Sequence, residues 1–326
     1  MKRLAFLLAI ICCLSVIVSG FAAAAFPESN ITLVIPNPPG GSATVLGTTI
    51  ASIMTEENII PVNIDLDYKP GGNMMIALAF IANNRGNPHY LMTFTASTIV
   101  APLLEDVGVR LDDVDVPVVF GYDSIVLMTH PDSPFKTFND VVTYAKANPG
   151  KLTIAGSSAA SSPHMAWSLL AHSLGIEYTY VPFDGTAPAA AMAMGRQVDL
   201  CLGNLSGGGD FMRSGTLRGL AITSSERQST VPDVPTFVEM GYDFTFGTPR
   251  GLFAPADLPE DARQYLKEAL TKMVTSERWQ KEFVERNDFT PAPLFMDDAV
   301  EFVRRQAEIY AEILQREGME LFLTVN

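Results

Sequence analysis

The sequence predicts an α/β protein of two lobes, each a mostly parallel sheet flanked by helices. Three observations carry this expectation. Apolar β-type runs alternate with helical stretches along most of the chain, as in a parallel sheet covered by helices. Strand after strand runs into a Gly/Ser/Thr turn that opens a helix, the arrangement found at the carboxyl edge of open sheets. The composition becomes more continuously apolar from Val116, and the chain ends in helices. It therefore leaves a first lobe, builds a second and returns.

The elements follow in order. Ile31 to Pro36 reads as a strand that ends in the turn Asn37-Pro38-Pro39-Gly40-Gly41. Val45, Leu46, Thr49, Ile50, Ile53 and Met54 then make one apolar helix face. Asn63 to Tyr68 is a strand, and Lys69-Pro70-Gly71-Gly72-Asn73 turns into a helix near Met74 to Ala82. Tyr90 to Phe94 is a strand followed by Thr95-Ala96-Ser97-Thr98. The first crossing is placed near Gly121-Tyr122, giving one lobe from 26–122 plus 243–326 and another from 123–242. In the second lobe Phe138 to Ala147 is helical and Leu152 to Ala155 is a strand leading to the loop Ser157 to Ser162. Ser162 suits the N-cap of the next helix, Pro163 its first position and Gly175 the residue past its end. Tyr178 to Phe183, Val198 to Leu202 and Leu217 to Thr223 are strands, with a short helix at Ala187 to Met194. The return crossing falls between Gly241 and Gly251. A helix spans Pro259 to Thr275, and Val300, Val303, Ala307, Tyr310 and Leu314 form the apolar face of the last one.

Composition narrows the function. Of 326 residues, 48% are hydrophobic and 18% charged, which excludes a disordered chain. Residues 1–25 read as a secretory signal peptide: Lys2 and Arg3, an apolar run from Leu4 to Val18, and small residues from Ala22 to Ala25. That run is too short for a comfortable membrane span. Removing the leader takes away Lys2 and Arg3, which moves the formal charge from −14 to −16. It also removes Cys12 and Cys13, which lie inside the apolar run and not at a lipidation box. The remaining Cys201 cannot form an internal disulfide and reads as a buried, inert thiol. The acidic balance offers no basic patch for nucleic acid. The expectation is a soluble, exported, globular acidic protein.

Chemistry points to the turns. Gly40-Gly41-Ser42, Ser157 to Ser162 and Gly185-Thr186 each offer backbone N–H groups, hydroxyls and the positive end of a helix dipole, with Thr95 and Ser97 as a fourth such place. Several of them facing one cleft make a site for a small anion. His89, His130, His164 and His172 show no metal spacing. Ser161 or Ser162 beside His164 raises the alternative of a secreted hydrolase, but no G-x-S-x-G occurs. Dinucleotide and phosphate-loop motifs are also missing, so no cofactor is expected.

The same turns, in the same order, resemble those of the periplasmic substrate-binding proteins of tripartite tricarboxylate transporters, the Bug family. The similarity runs through Pro39-Gly40-Gly41, Lys69-Pro70-Gly71-Gly72-Asn73, the Ser157 to His164 loop and Val181-Pro182-Phe183-Asp184-Gly185. It continues through Gly195-Arg196-Gln197-Val198-Asp199-Leu200, Leu217-Arg218-Gly219-Leu220-Ala221, Val231 to Thr236 and Gly251-Leu252-Phe253-Ala254-Pro255. The resemblance implies a periplasmic, monomeric Venus flytrap of type II that closes on a small organic carboxylate and delivers it to the large and small membrane subunits of the transporter. A ligand-presenting role toward a sensor kinase is a further alternative. The ligand-holding positions it implies are Gly40, Gly41 and Ser42 on one lobe and Ser157, Ser158, Ser161 and Ser162 on the other, with His164 as a ligand residue or a loop brace. Thr44 stands where the family commonly has an Asp, Gly203 where an acid often precedes the Asn matched by Asn204, and Arg250 where an aromatic is frequent. Lost acids and a gained arginine imply a ligand with a second anionic group held by Arg250.

Overall fold

The computed structural model describes residues 26–322 except 40, 41, 106, 107 and 184. The leader expected at 1–25, together with Gly40 and Gly41, lies outside the described residues. Strand β1 (Ile31–Ile35) leads to helix α1 (Ser42–Glu56), β2 (Ile64–Tyr68) to α2 (Met75–Asn83), and β3 (Tyr90–Phe94) to α3 (Ala96–Leu104). A long strand, β4 (Val114–Thr129), then carries the chain to α4 (Phe138–Ala147), β5 (Leu152–Ser157), α5 (Ser162–Leu174), β6 (Tyr178–Phe183) and α6 (Thr186–Met194). Next come β7 (Leu200–Asn204), α7 (Leu205–Arg213) and β8 (Arg218–Ile222). Strand β9 (Gly247–Pro255) brings the chain back to α8 (Glu260–Thr275), β10 (Phe289–Phe295) and α9 (Asp297–Arg316).

The strand order is β2-β1-β3-β9-β4-β7-β5-β6, with β10 and β8 also paired to β4. The expected parallel pairing holds where strands alternate with helices: β1 with β2 and β3, and β5 with β6 and β7. Strands β4 and β9 instead run antiparallel to their neighbours, so both sheets are mixed. Strand β4 spans both sheets, and β9 pairs with β3 and β4 alone, antiparallel to each. One half of β4 pairs with β9 and β10, and from Ile125 onward it pairs with β7 and β8. The chain on either side of Gly121, where the first crossing was expected, is thus a single strand. Gly121 has φ 141°, and a Cβ there would lie 2.2 Å from the Thr290 carbonyl oxygen. Only glycine lets β10 approach so closely beside the irregular register of β4 and β9.

Each sheet is covered on both faces. Leu46 and Ile50 of α1 pack with Leu266 and Leu270 of α8 on one side of the first sheet, and Leu78, Ile99, Val303 and Tyr310 from α2, α3 and α9 on the other. The second sheet holds Phe138, Val141, Trp167 and Leu170 against one face and Ala189, Ala190, Ala193 and Leu205 against the other. The alanines of α6 let that helix lie close to its sheet. Helix α7 was unforeseen because Gly207, Gly208 and Gly209 disfavour helix. Packing overrides propensity there: a Cβ on Gly208 would come within 2.9 Å of Met128 Cε on β4. The N-cap of α5 is Ser161, one residue before the expected Ser162, while Gly175 closes the helix at φ 64° as expected. Proline fits either of the first two helical positions, since neither N–H has an intrahelical acceptor.

Candidate ligand-binding cleft

Five strand-to-helix turns open onto one cleft of about 970 Å³. The β1–α1 turn contributes Asn37, Pro38 and Ser42, and the β3–α3 turn Thr95 and Ser97. From the second sheet come Ser157, Ser158, Ser161 and Ser162 at β5–α5, Gly185 and Thr186 at β6–α6, and Asn204 and Ser206 at β7–α7. Arg250 and Thr248 of β9 line the cleft as well, with Met74, Val45 and Phe183 adding apolar surface. The structure therefore brings together Ser42, Thr95, Ser97, Ser157, Ser158, Ser161, Ser162, Gly185, Thr186, Asn204 and Arg250. Thr44 and His164 are not among the lining residues.

The first turns of three of these helices share a feature. Ser161, Gly185 and Asn204 are the N-cap residues of α5, α6 and α7, and none makes a side-chain capping bond. Ser161 Oγ instead receives a hydrogen bond from Ser157 Oγ at 3.0 Å. The Asn204 amide donates to Thr248 Oγ1 at 2.6 Å and to the Asp123 carbonyl at 3.4 Å. In α5 and α6 the first-turn amides are left to water or a ligand, whereas in α7 the Ser206 N–H already donates to Asp123 Oδ1; the helix dipoles favour an anion at such termini. Gly203 has its own reason: a Cβ at this position would lie 2.1 Å from Thr186 Cγ2. The absence of an acid at residue 203 thus goes with a threonine at the start of α6.

Arg250 does not stand free for a ligand's second anionic group. Its Nη2 donates to Asp123 Oδ2 at 3.0 Å, and both residues are buried. Ser206 completes the arrangement, with its Oγ donating to Asp123 Oδ2 at 2.6 Å and its backbone N–H to Oδ1 at 3.3 Å. The guanidinium charge is therefore neutralised in place. Sequence reasoning missed Asp123, although a carboxylate inside a buried apolar strand signals a cation partner. Ser206 and Thr248 were missed too, because α7 was unforeseen and β9 was read as a crossing segment.

His164 lies behind the serine loop. Its Nδ1 accepts from the Ala160 N–H at 3.2 Å, and its ring sits 4.1 Å from that of Tyr180. Burial lowers its pKa. No hydrogen bond joins it to Ser161 or Ser162 among the described residues, so it braces the loop. Tyr180 supports the same loop by donating to the Ser157 carbonyl at 2.5 Å, and a Cβ on Gly156 would strike its hydroxyl oxygen at 2.2 Å. Among the described residues no group of acids, histidines and cysteines is arranged to hold a metal ion, and no helix is long and apolar enough to cross a membrane.

Two mixed sheets with helix N-termini facing a shared cleft define a two-lobed solute-binding protein. A family model described as the tripartite tricarboxylate transporter family receptor matches residues 49–319, and the chain belongs to that family. Protein BugT of Bordetella pertussis is 25% identical over 326 residues, covering 98% of this chain and 99% of BugT. Among solved structures, R. palustris Rpa4515 with adipate superposes with a TM-score of 0.75 at 21% identity, covering 90% of this chain and 99% of that one. MatC from Rhodopseudomonas palustris with bound malate gives 0.72 at 23% identity, covering 89% and 100%. These likenesses establish the fold.

Proposed function

We propose that this protein is a periplasmic receptor, exported by the leader at 1–25, that captures a small carboxylate between its lobes and delivers it to the membrane subunits of a tripartite tricarboxylate transporter. The lobes are 26–122 with 243–326, and 123–242; the change of β4 partners between Ser124 and Ile125 supports that division. The observation that carries the reading is the convergence of the uncapped first turns of α5 and α6 on one cleft with the β1–α1, β3–α3 and β7–α7 turns. Malate and adipate in MatC and Rpa4515 favour a carboxylate as the ligand. The head group sits between Ser42, Thr95 and Ser97 on one side and the amides and hydroxyls of Ser157 to Ser162, Gly185 and Thr186 on the other, with Gly40 and Gly41 retained as proposed ligand residues from the sequence alone. Arg250, held by Asp123, orients this wall and adds no net charge. The role is capture without turnover, and the protein acts as a monomer.

A thermal-shift screen of mono-, di- and tricarboxylates, each beside its amide, tests the reading. The expected result is stabilisation by at least one acid and by none of the amides, with the acid recovered unaltered. A panel in which no acid stabilises the protein overturns it.

A further inference from the structure

A second concave surface, lined wholly by residues between 136 and 242, shares no lining residue with the cleft and is nearly as large at about 920 Å³. It is bounded by the start of α4, the end of α7, β8 and residues 230–235. Arg218 of β8 pairs with Thr129 at the far end of β4, six residues along from Asp123, which is roughly 20 Å at the rise of an extended strand. Gly219 shapes the floor: a Cβ there would lie 2.5 Å from Val234 Cγ2 and 2.7 Å from Met212 Sδ, so only glycine lets these side chains close in beside Arg218.

The groove's charges are not balanced. Arg218 is partly buried, its Nη1 is shielded from water with no hydrogen-bond partner, and it makes no ion pair among the described residues. Arg213 is different, being paired with Asp210 and Asp288. The Lys136 ammonium donates to the Pro131 carbonyl at 3.2 Å and lies within the field of Asp140, and Asp233 is exposed. A guanidinium partly withdrawn from water and lacking a counter-charge is unfavourable until an anion reaches it. Around it Leu217, Val231, Val234, Met240 and Tyr242 offer apolar wall. A concave surface of this size, with apolar walls and one unpaired cation among its charged groups, has the make-up of a small-molecule site.

We propose that this groove is a second binding site, distinct from the cleft, for a carboxylate carried on an apolar body, with the carboxylate on the guanidinium of Arg218. The carboxylate belongs to a free amphipathic acid. The proposal does not depend on what the cleft binds.

Methionine-methyl NMR separates the two sites, because Met212 and Met240 line the groove and Met74 lines the cleft. The probes are 4-phenylbutyrate with 4-phenylbutylamine as its cationic counterpart, and N-acetyl-leucyl-phenylalanine with its amide. The expected result is a saturable shift of Met212 and Met240 with the acids and none with the amine or amide. Arg218→Gln weakens it at least about tenfold, the scale of a hydrogen bond to a charged group, and Arg218→Lys restores part of it. A stronger response to the free acid sustains the proposal, and a stronger response to the peptide overturns it in favour of a partner's C-terminus. Shifts at Met74 alone overturn the groove proposal and leave the cleft reading intact. An equal response to the amine, or one unchanged in Arg218→Gln, overturns it as well.

Discussion

Arg250→Met tests whether the cleft contains a free cation. The wild-type guanidinium lies 3.0 Å from Asp123, and the two residues are 7% and 2% exposed. Removing one partner of such a pair leaves the other charge buried, at a cost of about 3–5 kcal/mol. Ser206 still donates twice to the Asp123 carboxylate, so the lower end, about 3 kcal/mol, applies. Asp123→Leu costs a similar amount for the opposite reason, since it strands the arginine. The double variant, with no charge left to compensate, recovers most of the loss. Urea unfolding of the four proteins measures the cycle, and titration calorimetry of the folded variants measures ligand affinity. Because the pair is neutral, the double variant changes affinity for mono- and dicarboxylates by the same factor. Losses that simply add, or a single-variant loss below about 1 kcal/mol, refute the coupling. A loss confined to dicarboxylates shows instead that Arg250 acts on the ligand directly.

Gly203→Ala drives a methyl into Thr186, so it costs about 1–3 kcal/mol by overpacking and weakens carboxylate binding; Thr186→Ser in the same protein relieves part of both losses. Unchanged calorimetry and unfolding in Gly203→Ala contradict this. Burial pushes the Cys201 thiol up to about 12, so a thiol reagent at mildly alkaline pH leaves the native protein unlabelled and modifies it fully in denaturant. Burial lowers the pKa of His164 below its ordinary 6.5, so below that pH the unfolded chain binds the proton first. The stability from the neutral imidazole is therefore complete above about pH 6.5 and is lost as the pH falls toward the folded value; His164→Gln flattens that part of the pH profile, and an identical slope in both proteins refutes the assignment.

The elements legible in the sequence were those whose local chemistry agrees with their surroundings. Tyr90–Phe94, Phe138–Ala147 and Tyr178–Phe183 carry their own pattern and boundaries, and the structure has them at those residues. Helix α7 and strand β10 were not legible. The first is held by contacts of its glycines with β4, and the second, which contains Pro291 and Pro293, is held by pairing with β4. The serine loop and the Gly185-Thr186 turn could be read because turn chemistry is local. The Arg250–Asp123 pair could not, because its members are 127 residues apart and meet only through the register of β4 and β9. A residue such as Asp123 announces that it needs a partner without saying which one.

A cleft that holds an anion with amide and hydroxyl donors, and with no unpaired cation among its described lining residues, gives an acidic protein a particular salt response. Long-range repulsion from the net negative charge is screened over roughly 8 Å at physiological salt. A hydrogen bond to a charged group contributes about 1.5–3 kcal/mol, so four to six amide and hydroxyl donors can supply the roughly 8 kcal/mol of micromolar binding after ordering costs. The attraction is therefore short-ranged and little affected by salt, while the repulsion is long-ranged and weakened by it. Raising the salt concentration should leave the affinity for the cleft ligand unchanged or slightly tighter, and should speed association. A site built on an exposed lysine or arginine responds in the opposite direction, because salt screens its attraction. Stopped-flow and calorimetric titrations across salt concentrations read both quantities, and a clear weakening with salt would mean that a cation, not the helix termini, holds the carboxylate.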